Sequence, residues 1–189
     1  MENEKYLFVV SGAAGTGKDS VVKALREAHP EIEKTVSATT RAPRPGETDG
    51  VHYYFVTRER FEEMIRENAF LEYDAHAGNY YGTPRAQAEE KMEQGLLLLD
   101  IEPMGAKQVK QSAPDAVLIF IMPPSREELE RRLRGRGTET EDSIQERLAT
   151  AQKELAQQDK FTLKLVNDQV DTCADALYQA ICQRIGAAE

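Results

Sequence analysis

Short apolar runs alternate with segments of helical periodicity along most of this chain. Three runs are continuous and have the length of a strand, namely residues 5–11, 96–99 and 116–122. Continuous apolar strands are typical of parallel sheets that are buried on both faces. After the first run, apolar residues recur at helical spacing, as Val21, Val22 and Leu25 do. The alternation predicts an α/β fold in which helices cover a parallel sheet.

The remaining strands, helices and loops are predicted from short apolar segments and from the residues that begin or interrupt them. We expect strands near 34–37, 53–56 and 163–167, helices around Phe61 and at about 85–94, and turn-rich loops at 40–50 and 78–84. Ser125, with Glu128 three residues later, has the spacing of a capping box and predicts the start of a helix. The helical pattern pauses at 134–138 and resumes to about residue 158, and Asp171 is expected to cap the final helix.

The segment 38–90 departs from this alternation and predicts a lobe inserted into a single domain of 189 residues. We expect the core at about 5–37, 91–130 and 160–189, the inserted lobe at about 38–90, and a small helical lid at about 131–159. A chain of this length can bury a substantial hydrophobic core.

Charge narrows the class of partner. The formal net charge is −9, which argues against nucleic acid because a polyanion binds to a basic face. A small anionic substrate remains compatible, since a few placed arginines can set a local field opposite to the global one. Six arginines and no lysine lie between Arg126 and Arg147. They suit bidentate phosphate recognition or, alternatively, a solvated helix face with ion pairs.

Other features argue against several protein classes. The apolar runs are too short to span a bilayer and the N-terminal segment lacks the pattern of a secretory signal, so we expect a cytoplasmic protein. Cys173 and Cys182 lie in one predicted helix, roughly 13 Å apart at 1.5 Å per residue, which is too far for a disulfide. With three scattered histidines, a zinc site is not expected.

The most specific motif follows the first apolar run. Residues 12–18, Gly-Ala-Ala-Gly-Thr-Gly-Lys, fit the pattern G-x-x-x-x-G-K and lie between a predicted strand and a predicted helix. The glycines let backbone N–H groups converge on phosphate oxygens, and the helix directs its positive end at them. The residues expected to form the nucleotide-binding site are Gly12, Ala13, Ala14, Gly15, Thr16, Gly17, Lys18, Asp19 and Ser20. The alternative is a tight strand-to-helix turn without a ligand.

Two acidic residues are candidate ligands of Mg²⁺. The motif ordinarily continues with Ser or Thr, and this chain has Asp19 there instead. A carboxylate binds Mg²⁺ well but repels phosphates when the metal is absent. Asp100 directly follows the apolar run 96–99, an arrangement that places a carboxylate near the metal at the carboxyl edge of a sheet.

Seven further segments carry a family resemblance, namely residues 37–47, 49–53, 70–73, 78–83, 99–102, 134–139 and 166–168. They resemble segments of guanylate kinases and follow one another in that family's order. The resemblance extends from Val10 to about Asp168, most of the chain. It implies a P-loop kinase core, an acceptor-binding lobe at 38–90, and transfer of a phosphoryl group from ATP to GMP with Mg²⁺.

The resemblance also implies roles for individual residues. Glu72 and Glu102 would accept hydrogen bonds from guanine, and a carboxylate there excludes adenine because the wrong base leaves it unpaired. The set implied for GMP binding is Ser37, Arg41, Arg44, Glu47, Tyr53, Glu72, Tyr81, Thr83, Asp100 and Glu102. The groups implied for catalysis are Lys18, Arg132, Arg136 and Arg147, which would neutralise the transferring phosphoryl group. Asn167 would lie near the adenine of ATP.

Two other functions remain open at this point. A guanylate-kinase-like module could bind a peptide without catalysis, although such modules typically lack the P-loop residues that this chain retains. A P-loop kinase could act on another nucleotide, and the guanine-directed carboxylates argue against that function. The sequence predicts no oligomeric state.

Overall fold

The computed structural model describes residues 6–76, 78–93, 95–135 and 141–186. Its strands are β1 (Tyr6–Gly12), β2 (Ala38–Thr39), β3 (Tyr54–Phe55), β4 (Phe70–His76), β5 (Asn79–Pro84), β6 (Leu96–Asp100), β7 (Val117–Met122) and β8 (Leu163–Val166). Its helices are α1 (Lys18–Ala28), α2 (Arg58–Arg66), α3 (Arg85–Glu93), α4 (Pro103–Ser112), α5 (Arg126–Arg134), α6 (Glu141–Leu155) and α7 (Val170–Gly186), with a short 3₁₀ helix at Gln158–Lys160.

The strands form two four-stranded sheets. The first has the order β6-β1-β7-β8, and its strands β1, β7 and β8 run parallel, with Val10 opposite Ile119 and Ile121 opposite Leu165. The second has the order β3-β2-β5-β4 and is mixed, because β2 and β3 are parallel whereas β5 is antiparallel to β2 and β4. The predicted α/β fold with a parallel sheet is therefore confirmed.

The chain divides into two compact units. The first contains Glu33–Leu99 and Met104–Ala116, together with Tyr6 and Leu7, and so includes the whole second sheet. The second contains Phe8–Ile32, Asp100–Pro103 and the described residues from Val117 onward. The division into core, inserted lobe and lid that the sequence suggests stays a prediction.

The core of the second unit is built on the apolar runs of β1 and β7. Their fully buried side chains include Phe8, Val9, Val10, Ile119 and Phe120. Helices α1 and α7 pack against each other, with Leu25 and Leu177 fully buried. Burial of these side chains fixes β1 in place, so the glycine-rich loop begins from a rigid strand end at Gly12.

The first unit has a smaller, aromatic core. Phe61 of α2 is fully buried and stacks on Phe70 and Tyr80, with ring centroids 4.3 and 5.1 Å apart. Thr57 is the N-cap of this helix, because its side chain accepts a hydrogen bond from the backbone N–H of Arg60. The aromatic core supports β4 and β5, the two strands on which several candidate site residues lie.

Two element predictions are wrong for identifiable reasons. The strand expected near 34–37 is absent from the described residues, because the N–H of Val36 donates to the side chain of Gln87 rather than to a neighbouring strand. The loop expected at 78–84 is mostly strand β5. Its Gly82 reflects close packing instead of a turn, since a Cβ there would meet Phe70 at 2.9 Å.

The remaining differences concern element ends and unpredicted elements. Asp171 lies within the first turn of α7, which begins at Val170, so it does not cap the helix. Helix α6 ends at Leu155, and β4 and α4 were not predicted. Ser125 does cap α5, because its side chain accepts from the N–H of Glu128 at 3.1 Å.

The two cysteines and the helix lengths agree with the sequence analysis. Both cysteines lie in α7 as free thiols, Cys173 buried and Cys182 exposed. Across the described part of the chain, no helix combines the length and the apolar character needed to cross a membrane.

Candidate active site

The glycine-rich segment 12–18, called here the phosphate loop, joins β1 to α1 in the second unit. Gly15 and Gly17 have φ angles of 86° and 83°, in the left-handed region that glycine adopts without strain. Gly17 also precedes α1 directly, and a Cβ there would clash with Nδ2 of Asn167. Backbone angle and close packing both require glycine at position 17.

Lys18 is a buried ammonium held by two carboxylates. Its side chain is 10% exposed, and Nζ donates to Oδ1 of Asp19 at 2.9 Å and to Oδ1 of Asp100. Burial alone would lower the pKa of this lysine. The charges of Asp100, Asp19 and Glu102 together outweigh that effect and raise the pKa above its ordinary value. Lys18 is therefore a permanent cation at the start of α1.

Asp19 and Asp100 supply hard oxygen ligands beside this loop. The side chain of Asp19 is 89% exposed and that of Asp100 is 29% exposed, and both already contact one cation, the ammonium of Lys18. Within the described residues, no group of three or more His, Cys, Asp or Glu is placed to hold a metal by itself. Mg²⁺ usually takes one or two carboxylates and completes its shell with phosphates and water. These residues therefore fit Mg²⁺ bound together with a triphosphate.

Asn167 and Arg132 contact the backbone of the phosphate loop. Asn167 is buried; its Nδ2 donates to the carbonyl of Thr16 at 2.8 Å, and its Oδ1 has no hydrogen-bond partner among the described residues. Arg132 donates to the carbonyls of Asn167 at 3.0 Å and Thr16 at 3.3 Å. Its Nε donates to Glu128 at 2.7 Å, which fixes the guanidinium. Both candidate residues thus lie directly at the loop.

Glu72 is the buried carboxyl of the first unit. Strand β4 places it opposite Thr83 of β5, where it is 5% exposed. Thr83 donates its N–H at 3.1 Å and its hydroxyl at 2.6 Å to Oε1 of Glu72. Burial raises the pKa of Glu72 to about 7, although the two hydrogen bonds from Thr83 act in the opposite direction. This carboxyl therefore changes its charge near neutral pH.

Arg41 is held in a bidentate pair by Glu47 in the same unit. The two guanidinium–carboxylate distances are 2.9 and 2.8 Å, and the N–H of Arg44 donates to the same carboxylate at 2.7 Å. The hydrogen bond from Arg41 lowers the pKa of Glu47 to about 2. Arg41 lies 5.4 Å from the ring centroid of Tyr53 and interacts with the hydroxyl of Tyr81. The cluster is a fixed cation beside two tyrosines, which is suitable chemistry for a phosphate monoester.

The predicted site residues fall into the two units. The first unit contains Ser37, Arg41, Arg44, Glu47, Tyr53, Glu72, Tyr81 and Thr83. The second contains the phosphate loop with Asp19 and Ser20, and also Asp100, Glu102, Arg132, Arg147 and Asn167. Arg147 is half-buried on α6, and Arg136 lies outside the described residues.

One contact of the phosphate loop was missed by the sequence analysis. The carboxylate of Glu154 in α6 accepts a hydrogen bond from the N–H of Ala14 at 3.1 Å. The only signal in the sequence is that Glu154 follows Arg147 by seven residues, about two helical turns, and so lies on the same face. That spacing does not reveal what the face contacts.

Comparison with known proteins identifies close relatives. The family model described as "Guanylate kinase" matches residues 4–184. The chain is 52% identical over 165 residues to a guanylate kinase of Synechococcus sp. (strain CC9311), with 87% of each chain covered. It is 49% identical over 182 residues to one of Rubrobacter xylanophilus, covering 96% of this chain and 95% of that one. The crystal structure of guanylate kinase from Anaplasma phagocytophilum matches with a TM-score of 0.79 at 32% identity, covering 97% and 88% of the two chains.

Proposed function

This chain belongs to the guanylate kinase family, and on that premise we propose how its residues bind the two substrates. It is an ATP:GMP phosphotransferase, which moves the γ-phosphoryl group of ATP to GMP and yields ADP and GDP. The observation that carries the assignment of residues is the buried carboxyl of Glu72 beside Thr83. The hydrogen bonds that Glu72 accepts come from the uncharged Thr83, and no cation is among these donors in the described structure. A buried acceptor of this kind suits a neutral ligand that is rich in N–H donors.

Guanine is such a ligand. It presents N–H donors at N1 and at the 2-amino group, whereas adenine presents an acceptor at N1 and no 2-amino group. The ionised carboxylate of Glu72 accepts from guanine, and Thr83 and Ser37 add hydroxyl hydrogen bonds. Glu102 is a second carboxylate acceptor for the base, and Asp100 also contributes to acceptor binding. Adenine would leave the buried carboxylate of Glu72 unpaired, at a cost of about 1–3 kcal/mol.

The GMP phosphate binds to the cationic cluster of the first unit. Arg41 and Arg44 neutralise the monoester dianion, and the hydroxyls of Tyr53 and Tyr81 donate to its oxygens. Glu47 contributes by keeping the guanidinium of Arg41 in a fixed orientation, as its bidentate geometry supports. A preorganised guanidinium loses less side-chain entropy on binding than a mobile one.

ATP binds to the phosphate loop. Backbone N–H groups of the loop and of the first turn of α1 donate hydrogen bonds to its phosphates, and Lys18 exchanges a carboxylate partner for a phosphate oxygen. Asn167 borders the donor nucleotide, and Arg132, Arg136 and Arg147 neutralise the charge on the transferring group. Asp19 and Asp100 would hold Mg²⁺, which would neutralise phosphate charge when bound with ATP. Phosphoryl transfer depends on positioning and charge neutralisation, so these groups suffice without a covalent intermediate.

The substrate assignment is tested by a coupled assay of ADP release with ATP and each of GMP, AMP, CMP and UMP. We expect turnover with GMP, and a GMP preference in kcat/KM that narrows against AMP when Glu72 is replaced by Gln. Activity that appears only with another acceptor would overturn the assignment. Turnover with GMP would also exclude a purely peptide-binding module.

A further inference from the structure

Three side chains from late in the chain form hydrogen bonds with the backbone of the phosphate loop. They are Arg132 of α5, Glu154 of α6 and Asn167 after β8, and together they are called here the loop-contact group. Arg132 and Asn167 donate to the carbonyl of Thr16, whereas Glu154 accepts from the N–H of Ala14. The group therefore fixes one donor and one acceptor of the loop.

Apolar packing brings the same helices against the loop. Ala13 is 3% exposed and belongs to a buried cluster whose other members are Leu129 and Leu133 of α5 and Ile144, Leu148 and Ala151 of α6. A Cβ on Gly15 would meet Leu129 and Leu133 at 2.9 Å, so the loop backbone lies directly on α5. Close-packed contacts of this kind transmit small displacements. A shift of α6 would therefore move the loop.

The bond between Glu154 and Ala14 is a polar link between α6 and this loop. Its donor–acceptor distance is 3.1 Å, and the carboxylate is half-buried. The N–H of Ala14 faces α6, the helix against which the neighbouring Ala13 side chain is buried. This amide is thus oriented by the protein itself.

We propose that Glu154 is a positioning residue for phosphoryl transfer. It ties the Ala14 amide to α6, holds the phosphate loop in the conformation that binds ATP, and couples the loop to the helix that carries Arg147. Misplacement of reacting groups by about 1 Å can cost about 10² in rate, so such a tie has a kinetic consequence. The inference rests on the proposed function of the loop and of Arg147. The competing role is that of an internal anion that ATP must displace.

Two substitutions separate the hydrogen bond from the charge. Glu154→Gln and Glu154→Met both remove the charge and keep a straight, helix-favouring side chain, but only Gln retains an oxygen acceptor. We expect Glu154→Met to lower kcat/KM for ATP at least tenfold while the KM for GMP changes less than twofold. Glu154→Gln should remain within threefold of the parent. Glu146→Met, at an exposed position on the same helix, should leave both constants unchanged.

Backbone hydrogen exchange at Ala14 provides a readout that does not depend on catalytic activity. In the parent, the Ala14 amide should exchange slowly both without nucleotide and with a non-hydrolysable ATP analogue plus Mg²⁺. In Glu154→Met its exchange should be at least tenfold faster than in Glu154→Gln. Loss of protection when the analogue binds, or tighter ATP binding by Glu154→Met, would identify a displaced anion and overturn the proposal. If the parent is active and Glu154→Gln and Glu154→Met have equal kinetic constants, the positioning role of Glu154 is refuted and the proposed function is not. An inactive parent would refute the proposed function.

Discussion

Replacement of Glu72 by Gln is expected to stabilise the nucleotide-free protein at high pH and to weaken GMP binding at the same pH. Glu72 is 5% exposed, and burial raises the pKa of its carboxyl from the ordinary value of 4.5 to about 7. Gln has nearly the same shape and retains an oxygen that can accept both hydrogen bonds from Thr83. The substitution therefore removes the ionisation with little change in packing.

The sign and size of the stability effect follow from the raised pKa. Below pH 4.5 the carboxyl is protonated in the folded and unfolded states, so ionisation costs nothing. Between pH 4.5 and 7 the unfolded chain releases its proton first, and the folded state loses stability as the pH rises. Each unit of pKa corresponds to about 1.36 kcal/mol, so the loss reaches about 3 kcal/mol above pH 7. Glu72→Gln lacks this loss.

The change in the free energy of unfolding can be measured by urea denaturation. Because the chain has no tryptophan, unfolding is followed by far-ultraviolet circular dichroism. The stability difference between Glu72→Gln and the parent should grow in favour of the variant by about 3 kcal/mol from pH 4.5 to 8. Other titrating groups are common to both proteins and cancel in the difference. Glu89→Gln, at an exposed position on α3, is the matched control and should show no such growth. If the free energy of unfolding changed with pH in the same way for Glu72→Gln and the parent, ionisation of buried Glu72 would not have the cost assigned to it.

GMP binding should respond in the opposite direction. Guanine donors require the ionised carboxylate of Glu72, so the KM of the parent for GMP should fall as the pH rises through about 7. The GMP phosphate also titrates, near pH 6, but equally for both proteins. At pH 8 Glu72→Gln should raise the KM for GMP at least tenfold, about 1.4 kcal/mol. The fall in this KM through about pH 7 that is expected for the parent should be absent in the variant. A variant that is more stable yet binds GMP as the parent does would show that Glu72 does not contact the base.

Three further outcomes are expected. Asp19→Ser should tighten metal-free ATP binding and reduce the gain in affinity on adding Mg²⁺, as measured by calorimetric titration; an unchanged metal-linked gain would contradict this role of Asp19. Thr83→Val removes a hydroxyl that favours ionised Glu72, so the pH profile of the KM for GMP should move upward by roughly half a unit to one unit. Cys182 should react with a thiol reagent in the folded protein whereas buried Cys173, whose pKa is raised to about 11 by burial, should react only after unfolding; equal rates for the two would contradict the described burial.

The sequence was most informative where one local feature determines structure. The apolar runs of β1, β6 and β7 each form the strand that their composition predicts, and the cap at Ser125 depends only on residues three positions apart. The phosphate loop belongs to this category only in part. Gly15 and Gly17 are required by their φ angles, which is a local reason, whereas Gly17 is required also by the approach of the distant Asn167.

Features that depend on distant partners could not be predicted in this way. Gly82 resembles a turn residue in the sequence, yet its lack of a side chain serves contact with Phe70. Resemblance to a family identified Glu72 as a candidate, but only its burial in the folded chain gives the raised pKa. The hydrogen bond from Ala14 to Glu154 joins residues 140 positions apart, and the pattern of apolar and polar residues along the sequence does not predict such a contact.

The charged groups of the two units are stabilised differently, and the difference agrees with the ligand proposed for each. Lys18 is buried next to carboxylates that keep it charged, so a cation is always present for phosphates. Glu72 is buried with hydrogen-bond donors but with no cation among its hydrogen-bond partners in the described structure, so its ionisation is costly without a ligand. A salt bridge at Glu72 would remove that cost but would also occupy the oxygens that are proposed to accept from guanine. Selectivity for a neutral base therefore favours an unpaired carboxylate, whereas binding of a polyanion favours a permanently charged lysine.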